Sequence, residues 1–545
     1  MPIPPQIEEN LRFILLEVRR QMERCQEVLD SPTEEMIEQI IGRDDYIDSL
    51  KAYIENGCFA LIYHRENITQ KRDADLIRAI NTTAGNLERI ADHAVNICRQ
   101  IPYLKDPAYI GNFDYRRYFK IIHRALERVG KALFTQDLDA AQKICEAEVK
   151  LDLAYKKSFE KILAALTKGK DVENLITSGF ILRYLERIGD CLLNIGEAII
   201  FAGVGERLKL SEFKFLKEGL DEKHGTRLDQ IEFHGVWGTR SGCRIGIIEP
   251  KSGGGLRKEV VFKEGKRDKI SREKEKLELW HSIRPGLTPS ILDYRERDDE
   301  AALMTEFLSG QTFQQVLKDK NQKGLDEGLQ TLSEALSQIW EETKESCQSK
   351  PKFMGQLKSR LGDVFRVHPH FDQEERSVGE LALGSTNEQV EHLVRFEKKI
   401  KVPFLVLIHG DFNLDNIFVK TQANRLQIID VHRSGPGDYV QDISVFLVSA
   451  YRQRIFDQKT REQIFSLCVE FLRFARAFAK SQGDPHFEAR LALGLIRSLI
   501  TSTRFEFHLP LANAMYYRAC YLIEKLLSCE EAPESFVLPT DIFNY

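Results

Sequence analysis

No stretch of this sequence is apolar for long enough to cross a bilayer. Its most apolar helical pattern, near residue 200, is interrupted by Glu197, and a span needs about 20 consecutive apolar residues. The N-terminus, MPIPPQIEENLRF, has no basic start followed by an apolar stretch, so no secretory signal is expected. Paired cysteines are missing too: the ten cysteines are scattered and form no C-x-x-C. Cys25, Cys58, Cys98, Cys145 and Cys191 fall in helical patterns and are expected as buried thiols. That suits a reducing cytoplasm. Nor is there an excess of one charge. Lys and Arg number 78 against 83 Asp and Glu, a net −5, so no global field gathers nucleic acid or an anionic membrane. A cytoplasmic protein without a nucleic-acid partner or a transmembrane segment is expected, with peripheral membrane association and a homodimer left open. What is present is ordinary globular material, 42% hydrophobic and 30% charged over 545 residues. That length exceeds one core and calls for at least two domains.

The first 208 residues carry a helical repeat. Apolar residues at 11, 15, 18, 22, 25 and 29 step by four and three, the stripe of a long bundle helix. Similar stripes run from Leu76 to Ile97 and from Ile181 to Ile199. The latter two share a register: NLERIADHAVNI at 86–97 aligns with YLERIGDCLLNI at 184–195. A weaker echo relates Asp44–Asp48 to Glu148–Asp152. Residues 7–100 and 113–205 therefore read as two copies of one unit, each a three-helix bundle, joined by IPYLKDPAYIGNF. Glu88 and Asp92, like Glu186 and Asp190, sit four apart on one helix face, off the apolar stripe. A single such pair suits a solvated surface, and like charges at this spacing repel unless a cation lies between them. Recurrence of the pair at the same register weakens the surface reading without removing it, and four carboxylates with no Cys₄ or Cys₂His₂ set suggest that any metal here is a hard or borderline one bound by oxygen ligands.

The twice-repeated L-E-R-I-x-D resembles the PhoU family of phosphate-signalling regulators. The resemblance covers residues 7–205. It implies paired three-helix bundles whose surface acids bind metal ions, and a role coupling a phosphate transporter to a sensor kinase. Carried over, Glu88, Asp92, Glu186 and Asp190 are candidate ligands, with Asp48 and Asp152 as weaker ones. His93 of the first copy is Cys191 in the second, so the two sites differ if that position touches metal.

At residue 209 the periodicity fails, and the charged stretch 209–225, with Gly219 and Gly225, reads as a linker. Strand-like pieces follow (IEFHGVWGT, RIGIIEP, EVVFKEG), then a mostly helical region. The decisive segment is His409-Gly410-Asp411-Phe412-Asn413-Leu414-Asp415-Asn416, preceded by strand-like LVLI and followed by Ile428-Ile429-Asp430. One carboxylate, one amide and a second carboxylate at this spacing make a phosphoryl-transfer set. Asp411 would take the proton of an acceptor hydroxyl, and Asn416 and Asp430 would offer oxygens to Mg²⁺.

The pattern H-G-D-x-x-x-x-N followed by I-D resembles the aminoglycoside phosphotransferase and choline kinase family, a branch of the protein-kinase-like fold. The resemblance runs from about 226 to 530. It implies an α+β bilobal domain at 226–545, with a small lobe at about 226–308 and a large lobe at about 309–545, that uses ATP and Mg²⁺ on a hydroxyl of a small molecule. Within it, Lys263 in VVFK would hold the nucleotide phosphates, oriented by Glu273, with Glu275 and Glu278 as competitors. Gly235 and Gly238 lie in the turn that would approach those phosphates. Glu306 and Leu308 lie in the hinge whose backbone would meet adenine. His409 braces the loop in the family, and Asp442 is structural. Where many relatives have an aromatic and an acid after the metal Asp, this chain has Val431-His432. The combined expectation is an all-α PhoU-like pair followed by a kinase domain: an ATP- and Mg²⁺-dependent phosphotransferase under phosphate-linked control, with transport or sensor-kinase proteins as partners. The alternative is a regulator that senses nucleotide without catalysis. No acidic cluster in the C-terminal helices points to an aminoglycoside or to choline.

Overall fold

The computed structural model describes residues 4–63, 71–206, 208–236, 243–251, 256, 258–372, 376–378, 381–420 and 425–545. They divide into two compact units, Met1–Glu264 and Gly265–Tyr545.

Helices α1 (Pro5–Asp30), α2 (Glu34–Tyr63), α3 (Lys71–Gln100), α4 (Tyr115–Thr135), α5 (Leu138–Leu166) and α6 (Val172–Val204) form the repeat as two sets of three. The apolar stripes make the core. Leu11, Val18, Met22 and Cys25 on α1, Leu87, Ile90, Ala94 and Ile97 on α3, and Ile181, Leu185, Ile188, Leu192 and Ile195 on α6 are fully buried. Close packing of α5 on α6 needs Gly196, since a Cβ there would lie 2.3 Å from the Cys145 Sγ. The five cysteines expected as thiols are buried and free.

The stretch that loses periodicity at residue 209 is itself a helix, α7 (Leu210–His224). Its Phe213, Phe215, Leu216 and Leu220 are buried, so the apolar residues hidden among the charges anchor it. Lys214 reaches Glu146 of α5 at 3.2 Å, and Lys217 pairs with Asp139. Glu212 caps the helix start through the Lys209 N–H and takes Arg244 at 2.6 Å. Arg244 opens β2 (Arg244–Pro250), which pairs antiparallel with β1 (Ile231–Gly235) and with β3 (Val260–Lys266). These three strands are the three strand-like pieces of the sequence.

In the second unit α8 (Arg267–Ile283) precedes the hairpin β4 (Ile291–Arg297) and β5 (Glu300–Glu306). Next come β6 (Gln311–Thr312), α9 (Phe313–Lys318), α10 (Gln322–Glu342), β7 (Glu345–Ser349) and α11 (Phe353–Val367). The short pair β8 (Arg376–Val378) and β9 (Leu381–Leu383) leads into α12 (Thr386–Glu397). Strand β10 (Val402–Ile408) pairs antiparallel with β7 and with β13 (Gly435–Gly437), while β11 (Ile417–Lys420) pairs with β12 (Arg425–Ile428) and β6. Helices α13 (Val440–Tyr451), α14 (Gln458–Ser481), α15 (Phe487–Thr503) and α16 (Leu509–Leu527) complete the chain. The fold class is as expected, helical PhoU-like bundles and then a mixed kinase-like domain. Among the described residues, no helix is long and apolar enough to cross a membrane.

Candidate active site

Strand β10 is buried along most of its length, and its C-terminal end delivers His409, Gly410 and Asp411 to a loop. Gly410 is required there: its φ is +85°, and a Cβ would meet the Arg433 carbonyl at 2.6 Å. The loop is held from two sides. Asp442, on the first turn of α13 and 2% exposed, accepts the N–H of His409 at 2.6 Å and that of Gly410 at 2.9 Å. Burial pushes the Asp442 carboxyl up, against the pull of His409 and the two amides. His409 accepts the Asp411 N–H on Nδ1 at 3.2 Å, so its Nε2 carries the proton donated to the Ile429 carbonyl at 2.8 Å. The ring thereby ties the loop of Asp411 to the strand end that carries Asp430.

The Asn416–Asp430 separation is set by the β11–β12 hairpin, in which Ile417 faces Ile428. One step further, the Ile429 N–H donates to the Asn416 carbonyl at 3.0 Å. The Asn416 Nδ2 donates to the Asp411 main-chain carbonyl at 2.9 Å. With Nδ2 engaged, Asn416 keeps its amide oxygen as a donor, and with the Asp430 carboxylate it offers the oxygen chemistry that a hard cation such as Mg²⁺ takes. Asp430 itself sits at φ +61°, a conformation Asp tolerates better than most residues and one that clusters at functional sites.

The Val431-His432 departure from the family pattern has a structural role. The His432 Nδ1 donates to the Asp430 Oδ1 at 3.1 Å, and its Nε2 accepts from the Arg433 Nε at 3.3 Å. The Arg433 Nη1 then reaches the Asp411 Oδ2 at 3.1 Å. A continuous polar chain thus runs Asp430–His432–Arg433–Asp411. Asn413, held by Arg452 at 3.0 Å, donates to the other Asp411 oxygen at 2.8 Å.

Helix α8 packs on the turn that holds His432. Of its three candidate acids, Glu273 is buried while Glu275 and Glu278 are exposed. Glu273, Asp430 and His432 offer ligand atoms within 4.8 Å of one another. The Trp280 indole donates to the Ser434 Oγ at 2.9 Å, and that hydroxyl donates to the His409 carbonyl at 3.1 Å, which ties α8 to the loop of Asp411. Lys263 is 7% exposed on β3 of the first unit. Gly235 ends β1, where a Cβ would lie 3.2 Å from the Glu206 carboxylate. Gly238 lies outside the described residues. Glu306 uses its side chain to accept from the N–H and Oγ of Ser290 at 3.1 and 3.3 Å, and Leu308 is buried.

The acids of the helical repeat sit in two like-charged groups. In the first, burial and then Asp92 push the Glu88 carboxyl up, and burial and then Asp48 do the same to Asp92. Asp44 is raised by burial, then Asp92 and Asp48. In the second, burial, then Asp152, Asp190 and Glu186 raise Glu148, and burial also raises Glu186. Lys51 approaches Glu88 at 3.4 Å, Arg183 meets Glu186 at 2.6 Å and Arg187 meets Asp190 at 3.0 Å. Among the described residues, no three of these acids bring ligand atoms within 4.8 Å of one another. Asp44 and Glu148 join the acids singled out from the sequence. Their signal was available, since each lies four residues before Asp48 or Asp152 and repeats the spacing of the named pairs. His93 faces Arg89, Arg187 and Asp190, with burial pushing its imidazole down to about 4.

Removing Asp442 tests how the loop is held. Asp442→Ala should leave two buried amide donors without their acceptor, costing about 1–3 kcal/mol each. The measurement is a melting curve, whose midpoint should fall.

Comparison with known proteins agrees with this division. The PhoU domain model matches residues 13–101 and 115–199, and the phosphotransferase enzyme family model matches residues 268–466. A phosphate-specific transport system accessory protein PhoU homolog of Clostridium acetobutylicum is 32% identical over 203 residues, covering 35% of this chain and 89% of that protein. The crystal structure of PhoU from Streptococcus pneumoniae aligns with 22% identity and a TM-score of 0.34, covering 37% of this chain and 96% of its own. An aminoglycoside phosphotransferase structure from Streptomyces rimosus aligns with 19% identity and a TM-score of 0.35, covering 54% of this chain and 99% of its own. Through its helical repeat the chain belongs to the PhoU family, and it carries a phosphotransferase-family domain in its C-terminal half.

Proposed function

We propose that this protein is a phosphotransferase that moves the γ-phosphoryl group of ATP to a hydroxyl of a small molecule, under control of its PhoU-like half. The observation that carries the reading is the joint placement of Asp411, Asn416 and Asp430. The hydrogen bond from Ile429 to the Asn416 carbonyl and the His409 bridge hold all three in one cluster. Asp411 receives the proton of the acceptor hydroxyl while that oxygen bonds the γ-phosphorus. The bond from that phosphorus to the bridging oxygen breaks, and its electron pair leaves on the diphosphate. Asn416 and Asp430 are the residues to hold Mg²⁺, which when bound offsets negative charge on the phosphates. Lys263 and Glu273 are the candidates to hold the nucleotide phosphates, with Gly235 and Gly238 in the turn proposed to approach them and Glu306 and Leu308 in the hinge proposed to meet adenine.

The acids Glu88 and Asp92, with Asp44 and Asp48, and Glu186 and Asp190, with Glu148 and Asp152, are the candidates for cations on the PhoU-like half. The relatives' printed role in phosphate-specific transport is the reason to propose the control input there. The set Asp411, Asn416 and Asp430 supports an enzyme over a nucleotide-sensing scaffold, because Asp442 and His409 brace the backbone of the Asp411 loop.

The test is calorimetric binding of a non-hydrolysable ATP analogue with Mg²⁺. Native protein should bind in a metal-dependent way, and Asp430→Ala should lose that dependence. Failure of the native protein to bind would remove the enzyme reading.

A further inference from the structure

Four arginines from three separate places in the chain interact with one another, and two of them, Arg433 and Arg497, also interact with Asp411. Arg433 follows the metal loop and touches the Asp411 carboxylate at 3.1 Å. Arg497 and Arg504 lie on α15 and at its C-terminal end, seven residues apart and so on one helix face. Arg360 lies on α11, which packs against α15.

Arg497 is the informative member. It is 6% exposed, yet its guanidinium makes a single hydrogen bond, to the Ser444 Oγ at 3.3 Å, and its buried Nε has no partner. Its other neighbour is the ring of Phe353, with the guanidinium carbon 5.5 Å from the centroid. The Nε of Arg504 is likewise buried without a partner. Arg504 lies 3.9 Å from Asp363, a carboxylate already held by Arg366 at 2.9 Å. Among the described residues no carboxylate pairs with Arg360.

The charges do not balance locally. The carboxylates near the cluster are Asp411, Asp442 and Asp363. Asp442 is committed to the amides of His409 and Gly410, and Asp363 is shared. Burial first, then Arg360 and Arg433, push the Arg497 guanidinium down to about 10, and burial and Arg360 push Arg504 in the same direction. Burying a charge is costly unless it is paired. A fold that gathers unmatched guanidiniums next to its catalytic base is therefore prepared for an anion. Guanidiniums offer forked donors that match carboxylate and phosphate oxygens. The acceptor hydroxyl must reach Asp411, so the remainder of the acceptor meets this cluster.

We propose that the acceptor is an alcohol carrying a phosphate or carboxylate group, which Arg360, Arg497 and Arg504 bind while Arg433 lies beside the base. This rests on the reading of Asp411 as the group that receives the hydroxyl proton. Arginines at these positions also account for the lack of an acidic cluster in the C-terminal helices, which a cationic acceptor would require.

The experiment is calorimetry at low salt on the full chain, with a non-hydrolysable ATP analogue present to keep anions out of the nucleotide site. The probes are glycerol 3-phosphate, glycerate, glycerol, choline and inorganic phosphate. At least one of glycerol 3-phosphate and glycerate should bind tenfold or more tightly than glycerol and choline. Arg360→Gln and Arg497→Lys should each weaken that binding at least tenfold. Arg360 is only half-buried, so its variant keeps the test decisive if Arg497→Lys fails to fold. Absence of anion binding, equal or tighter binding of glycerol or choline, or affinities unchanged in a folded variant would overturn the proposal. Inorganic phosphate binding as tightly as glycerol 3-phosphate would overturn it too, since the cluster would then be a free-phosphate site. Failure of the ATP analogue itself to bind is a separate result and counts against the kinase reading, not against the anion site.

Discussion

Replacing Asp411 with asparagine should lower phosphoryl transfer by about 10²–10⁴-fold, the usual worth of a general base, and leave nucleotide affinity within a few-fold of native. The structure makes this substitution clean. Asn416 bonds the main-chain carbonyl of residue 411 and not its side chain, so the oxygens that Asn416 and Asp430 offer are unaffected. The N–H that His409 accepts is also main-chain, so the loop keeps its brace. Asparagine can still accept from Asn413 through its amide oxygen. What it loses is the ability to take a proton, together with the pairing to Arg433. That pair is exposed on the arginine side, and such pairs contribute about 0–1 kcal/mol, so the melting temperature should barely move. Rapid-quench turnover and analogue calorimetry on the same preparation separate the two effects. Undiminished turnover would remove Asp411 from the chemistry, and lost nucleotide binding would recast it as part of the nucleotide site.

The parts of this molecule governed by local periodicity were legible in the sequence. A four-three stripe has one way to bury itself, so the residues from Leu11 to Leu29 become the inner face of α1. The internal repeat then doubled the information, because the register of 86–97 had to agree with that of 184–195. The segment from His409 to Asp430 was legible as strand, loop and hairpin because these are contiguous: Asp411, Asn416 and Asp430 lie within twenty residues of one another.

Features built by long-range packing were not legible. The charged stretch after residue 209 looked like a linker because charges outnumber its apolar residues. Yet Phe213, Leu216 and Leu220 suffice to bury one side of α7, and Glu212 finds Arg244 thirty-two residues away. The first compact unit extends accordingly through the early strands. The arginines at 360, 433, 497 and 504 carry no motif at all. Only the packing of α11 on α15, and of α15 on α13, assembles them. His432 is a middle case. It stood out as a departure from the family pattern, but its link from Asp430 to Arg433 depends on the turn of Val431–Arg433.

The largest stability effect is expected at Arg490. This side chain is fully buried and forks between two carboxylates, meeting the Asp484 Oδ2 at 2.7 Å and the Asp438 Oδ2 at 2.9 Å, with a further bond to the Lys401 carbonyl at 3.2 Å. Asp484 also accepts from the Tyr439 hydroxyl at 2.6 Å, and Asp438 precedes the helix that presents Asp442. Arg490→Ala would leave both acids buried without their cation. Breaking a buried pair from one side costs about 3–5 kcal/mol, and in a domain of this size each kcal/mol lowers the melting temperature by about 2–4 °C. The chain has two compact units, so a single global midpoint would blur the effect. Trp340 is a local reporter, because it packs on Tyr439 with ring centroids 5.3 Å apart. Its fluorescence transition should shift down while the helical signal of the PhoU-like half holds. Arg490→Lys retains one charge but not the fork, and should fall in between. Adding Asp484→Asn to Arg490→Ala should recover part of the loss by removing one stranded charge. If the double variant is no more stable than Arg490→Ala alone, the penalty comes from lost packing around the guanidinium and not from the carboxylates.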